Sequence, residues 1–147
     1  LLGVNEVPAS ASSTATGIGT VALSPDQSTI TVNFSFSGLT AAASAAHIHG
    51  PAAAGVNAGV LFPLAGVPAA TSGAIPEQSF AINPTQVGYL TSGQLYMNVH
   101  NANFPAGEIR GQILLVPSRG LTFPTASGTY TDINASSPAK FYQVVSP

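Results

Sequence analysis

Thr29-Ile30-Thr31-Val32-Asn33-Phe34-Ser35-Phe36 alternates without a break: Ile30, Val32, Phe34 and Phe36 fall on one side, Thr29, Thr31, Asn33 and Ser35 on the other. Successive side chains of a strand point to opposite faces, so this stretch reads as a half-buried β-strand. Working outward, Gly17 to Leu23 reads as a strand with Val21 and Leu23 inward, and Ser24-Pro25-Asp26-Gln27 supplies the turn of a hairpin. On the other side Gly38-Leu39 closes the strand. The alanine-rich run from Ala41 to Ala46 is open to a loop or a helical reading.

The rest of the chain repeats the pattern of short strands punctuated by Gly, Pro, Asn and Ser. Gly50 to Gly59 reads as a long loop, and Val60 to Leu64 and Gly73 to Ile82 as strands. Pro84 to Leu90 reads as a short helical turn, with Asn83 as its cap and Pro84 at the first helical position. Leu95 to His100 and Glu108 to Val116 form a hairpin across a long polar turn. Gly120 to Ile133 and Ala139 to Val145 add further strands, joined by the turn-rich segment from Asn134 to Pro138. This spacing favours an all-β sandwich or barrel.

With 147 residues the chain is long enough for one domain with a real core. Its charged fraction of 5% is far below the roughly 25% usual for soluble domains. Arg110, Arg119 and Lys140 are the only basic residues, so no basic stripe exists to meet nucleic acid or an anionic membrane surface. No stretch approaches the roughly 20 apolar residues needed to span a bilayer. The start at Leu1, with no charged leader and no initiator Met, reads as a processed, secreted chain. Asn33-Phe34-Ser35 and Asn134-Ala135-Ser136 fit the N-glycan acceptor pattern, so Asn33 and Asn134 are candidate glycan sites. A surface of Ala, Ser, Thr, Asn and Gly has little repulsion to keep copies apart, which suits a protein packed against its neighbours.

All 3 histidines lie in two patches, Ala46-His47-Ile48-His49-Gly50 and Tyr96-Met97-Asn98-Val99-His100. Strand alternation puts His47 and His49 on one face, and Tyr96, Asn98 and His100 together on one face of the second segment. If the segments pair, three imidazoles converge, a donor set that suits copper, zinc or nickel, copper ahead of zinc. Glu108 is the candidate for an added oxygen ligand, with Tyr96 behind it. The plainer alternative is three partly buried histidines bonded to backbone groups. Hydrolase and nucleotide-binding readings have no support: there is no nucleophile elbow, no paired carboxylates and no phosphate loop. In so uncharged a chain Arg110 is expected to pair with Glu6 or Glu108 as a structural clamp.

Leu2-Gly3-x-x-Glu6-Val7-Pro8, then Gly38-Leu39-Thr40 leading to Ala46-His47-Ile48-His49-Gly50-Pro51-Ala52, and Leu95-Tyr96-Met97-Asn98-Val99-His100 followed by Pro105-Ala106-Gly107-Glu108-Ile109-Arg110-Gly111-Gln112 resemble the chordin-type (CHRD) domain. The resemblance implies an extracellular antiparallel Greek-key β-sandwich distantly related to copper/zinc superoxide dismutases, over about residues 1–116. A coupled dinuclear centre needs about six histidines. Only His47, His49 and His100 are present, so at most a mononuclear copper could support dismutase-like redox chemistry.

Residues 117–147 lie beyond that pattern. Phe141, Tyr142, Val144 and Val145 have the content of a strand that either covers an edge of its own sheet or adds to a neighbouring copy. A head-to-tail addition propagates into a filament. Two functions are therefore expected. The first is a secreted structural protein that self-assembles and carries a three-histidine metal site; the second is a soluble extracellular copper/zinc-binding module for storage, scavenging or sensing.

Overall fold

A computed structural model describes residues 1–116, 122–125, 128–131 and 140–145. A short 3-10 turn (Gly3–Asn5) is followed by β1 (Thr16–Leu23), β2 (Thr29–Ser37), β3 (Ala43–His49), β4 (Val60–Pro63), β5 (Gly73–Ala81), α1 (Pro84–Thr91), β6 (Tyr96–Asn101), β7 (Ile109–Leu115), β8 (Thr122–Thr125), β9 (Gly128–Thr131) and β10 (Lys140–Val145). The expected all-β antiparallel fold is present. Eight strands form one continuous sheet in the order β4-β3-β6-β7-β10-β1-β2-β5, and β8 pairs with β9 alone.

The sheet curls until its two ends nearly meet. Phe62 on β4 packs against Phe80 on β5 with ring centroids 5.3 Å apart, and the Gln78 side chain bonds both the N–H (2.8 Å) and the carbonyl (2.9 Å) of Ala65. The apolar side of this nearly closed sheet faces inward. Inside it lie Ile30, Val32, Phe34 and Phe36 of β2, as their alternation requires, with Val21 and Leu23 of β1, Ile48 of β3, Met97 and Val99 of β6, and Ile109 and Ile113 of β7. Burying each such side chain contributes about 1.5–3 kcal/mol.

The helix follows its local signals. Asn83 Oδ1 accepts from the Gln86 N–H (2.9 Å) and Gln86 Oε1 accepts from the Asn83 N–H (3.0 Å), a reciprocal cap that satisfies two donors. The alanine run resolves as strand from Ala43 onward. Ala43 and Ala46 are buried in the core and the segment pairs with β6, and so short a run cannot hold a helix against that pairing.

β10 lies in the middle of the sheet rather than at an edge. It is antiparallel to β1, with Thr20 opposite Gln143 and Leu23 opposite Lys140, and antiparallel to β7, with Ile113 opposite Val144 and Gln112 opposite Val145. The backbone of Phe141 and Tyr142 stands opposite Ala22 and Val21. Val144 is buried in the core. Leu2 bridges Thr16 and Arg110 farther along the same cleft, so two distant pieces of chain fill the space between β1 and β7. Asn33 is exposed on β2; the Asn134 acceptor site and the turn at 134–138 lie outside the described residues. Among the described residues no helix is long and apolar enough to cross a membrane.

Candidate metal centre

β3 and β6 pair with His47 opposite Asn98, His49 opposite Tyr96, and Ala45 opposite His100. Period-two alternation sends Ile48, Met97 and Val99 into the core, so His47, His49, Tyr96, Asn98 and His100 rise together on the other side. The three histidines come together: one ligand nitrogen from each lies within 4.8 Å of the others. His47 Nδ1 is 3.0 Å from His100 Nε2.

Backbone carbonyls orient two of the rings. His49 Nδ1 is 3.0 Å from the Ala58 carbonyl, and His100 Nδ1 is 3.0 Å from the Pro105 carbonyl. A carbonyl only accepts, so His100 carries its proton at Nδ1 and keeps the Nε2 lone pair, while His49, whose Nε2 lies 3.0 Å from Asn98 Oδ1, has an acceptor at each ring nitrogen. Burial pushes the pKa values of His47 and His100 below the usual imidazole range. For His47 the neighbouring His100 and His49 push the same way; for His100 the Pro105 carbonyl opposes and His49 adds to the fall. Both shifts favour the neutral imidazole, the form in which histidine ligates metals.

A buried polar layer supports the cluster. His49 stacks on Tyr96, centroids 4.8 Å apart and planes 2° from parallel, and the Arg110 guanidinium lies 3.4 Å from the Tyr96 centroid. Tyr96 Oη accepts from the Ala58 N–H at 3.1 Å, so Tyr96 pins the loop instead of joining the donor set. Arg110 is 1% exposed and donates to Asn57 Oδ1 (3.0 Å) and the Val56 carbonyl (2.6 Å). Gln112 donates to the Ala52 carbonyl (2.9 Å) and the Gly93 carbonyl (2.7 Å). The long loop after His49 is therefore tied down over the strands by side chains of β6 and β7.

The two carboxylates stand apart from the cluster. Glu108 is fully buried and accepts from Ser13 Oγ (2.6 Å), the Thr40 N–H (3.0 Å), Thr40 Oγ1 (3.1 Å) and Asn101 Nδ2, so it fastens neighbouring loops and is not among the grouped ligands. Glu6 is buried too, and its Oε1 has no hydrogen-bond partner among the described residues. Burial raises its pKa to about 7, against the opposing pull of Arg110 and of a hydrogen bond from Asn98. Glu6 and Arg110 thus attract each other, while the guanidinium's direct hydrogen bonds go to the loop.

Sequence reasoning located the three imidazoles and placed Asn98 on their face, but assigned Asn98 no part. The Ala58 and Pro105 carbonyls gave no signal, because a backbone acceptor carries no residue identity.

No curated protein and no solved structure matches this chain. The CHRD domain family matches residues 1–113, and the chain belongs to that family.

Proposed function

We propose that this chain is an extracellular structural module that holds one borderline transition-metal ion, of the copper or zinc class, on His47, His49 and His100. The observation that carries this reading is the pairing of Nδ1 of His49 and of His100 with backbone carbonyls, each at 3.0 Å. The Pro105 carbonyl fixes the tautomer of His100 and aims its Nε2, as outer partners do in metal sites, and the Ala58 carbonyl orients the His49 ring in the same way. The donor chemistry fits: neutral nitrogen ligands with depressed proton affinity suit such ions, and oxygen-seeking calcium or magnesium would find no carboxylate among the grouped ligands. The extracellular address is supported by the family, whose domains are of extracellular type.

The test is equilibrium dialysis of the purified chain against Cu(II) and Zn(II), with calorimetry on the wild type and on His47→Ala, His49→Ala and His100→Ala. One ion per chain, lost in each variant, is expected. Absence of stoichiometric uptake by the wild type overturns the reading.

A second role, self-assembly, is favoured by the position of β10. This strand is reached only after residues 116–139, and it sits between β1 and β7, the position in which an identical strand from another copy would make the same hydrogen bonds. Exchange of β10 between copies would link them head to tail. The chain has no cysteine, so Thr20→Cys with Gln143→Cys, opposite each other in register, gives a clean reporter. Disulfide-linked ladders in secreted or concentrated material are expected; closure only within single chains overturns exchange.

A further inference from the structure

Resting on that metal reading, we infer that Asn98 is a fourth ligand of the same ion, through Oδ1, and that the completed three-nitrogen, one-oxygen set is built for Cu(II). Asn98 is 2% exposed, and its Oδ1 lies 3.0 Å from His49 Nε2. The amide is held in that orientation from behind, where its Nδ2 donates to the Ala106 carbonyl (3.4 Å). A carbonyl only accepts, so the nitrogen end of the amide belongs to it and the oxygen end faces the histidine.

His49 is then flanked by oxygen on both sides, Ala58 O at Nδ1 and Asn98 Oδ1 at Nε2. A neutral imidazole has one N–H and satisfies only one of them. With the proton at Nδ1, a lone pair on Nε2 and a lone-pair oxygen face each other in a buried place. A cation bound by both turns this repulsion into coordination.

The donor set indicates the ion. Two neighbouring pairs, His47 Nδ1 with His100 Nε2 and His49 Nε2 with Asn98 Oδ1, are each 3.0 Å apart, and the three histidine donors lie within 4.8 Å of one another, so one ion would draw them in. Nitrogen and oxygen donors suit Cu(II) in its tetragonal geometry, and an amide oxygen beside imidazoles is poorly matched to Cu(I), which favours soft sulfur ligands.

The experiment uses the whole chain loaded with Cu(II), with Asn98→Ala and Asn98→Asp beside the wild type, read by electron paramagnetic resonance and by competition for affinity. A tetragonal Cu(II) spectrum in the wild type is expected, with a changed spectrum in Asn98→Ala and binding weakened by more than the 10–100-fold or so that follows loss of an outer partner. Asn98→Asp should retain the tetragonal spectrum and bind at least as tightly. A direct readout that needs no variant is the side-chain carbonyl carbon of selectively labelled Asn98, whose resonance should be broadened by Cu(II) far beyond those of Asn57 and Asn101. Identical spectra in wild type and Asn98→Ala, or an unperturbed Asn98 carbonyl in the copper-loaded wild type, overturn the assignment and leave the three-histidine site standing. Failure of the wild type to take up any ion defeats the metal reading itself.

Discussion

His47 Nδ1 lies 3.0 Å from His100 Nε2 although the residues are 53 positions apart, and the Pro105 carbonyl holds the far nitrogen of His100. A loop carbonyl thus decides which nitrogen of one strand's histidine faces the histidine of the next strand.

Because His100 is only partly buried and stands on the face of β6 opposite the buried Met97 and Val99, His100→Ala should remove metal binding while leaving the fold intact. Loss of affinity should exceed the 10–100-fold or so that follows removal of an outer partner. Calorimetry with Cu(II), alongside circular dichroism of the metal-free variant, checks both halves.

Glu6 ties stability to pH. Its folded pKa of about 7 lies above the ordinary 4.5 of a free glutamate, so between these two the folded state binds the more protons. Stability of the metal-free protein should therefore fall as pH rises from about 4.5 to 7 and then level off, by an amount on the order of 3 kcal/mol. Arg110 and Asn98, the groups that favour the charged form, limit the loss. Glu6→Gln should flatten this slope, as measured by urea unfolding at a series of pH values.

Gly107 should not accept a side chain. Its φ of +132° is unfavourable for any L-residue, and an added Cβ would collide with Glu6 Oε1 and stand 2.8 Å from Asn98 Nδ2. Gly107→Ala is expected to cost about 1–3 kcal/mol and to weaken metal binding through the displaced Asn98. Denaturant midpoints and copper affinity measured on one variant separate this from a purely local strain, which would move the first alone.

Arg110→Lys should behave as a severe change. A lysine has neither the planar face that lies over Tyr96 nor the fork that reaches Asn57 Oδ1 and the Val56 carbonyl together. A loss of about 2–4 kcal/mol is expected, with faster amide exchange concentrated in the loop between Gly50 and Gly59. Unchanged exchange there would show that the loop is held by other contacts.

Much of the molecule was legible in its local pattern. The unbroken alternation of Thr29 to Phe36 gave β2 and its core face, Asn83-Pro84 gave the helix start, and the spacing of His47, His49, Asn98 and His100 placed all four on one side of two strands. These readings succeed because a strand's period of two and a helix cap are properties of neighbouring residues and depend on no long-range contact.

Only the tertiary structure decided the rest. It set β10 between β1 and β7, turned Glu108 to Ser13, Thr40 and Asn101 instead of the histidines, gave the Arg110 fork to the loop, and supplied the Ala58 and Pro105 carbonyls that aim the imidazoles. Each of these depends on which distant segments come to lie side by side. Strand order and backbone acceptors are indifferent to side-chain identity, so they leave no mark in the residues that use them.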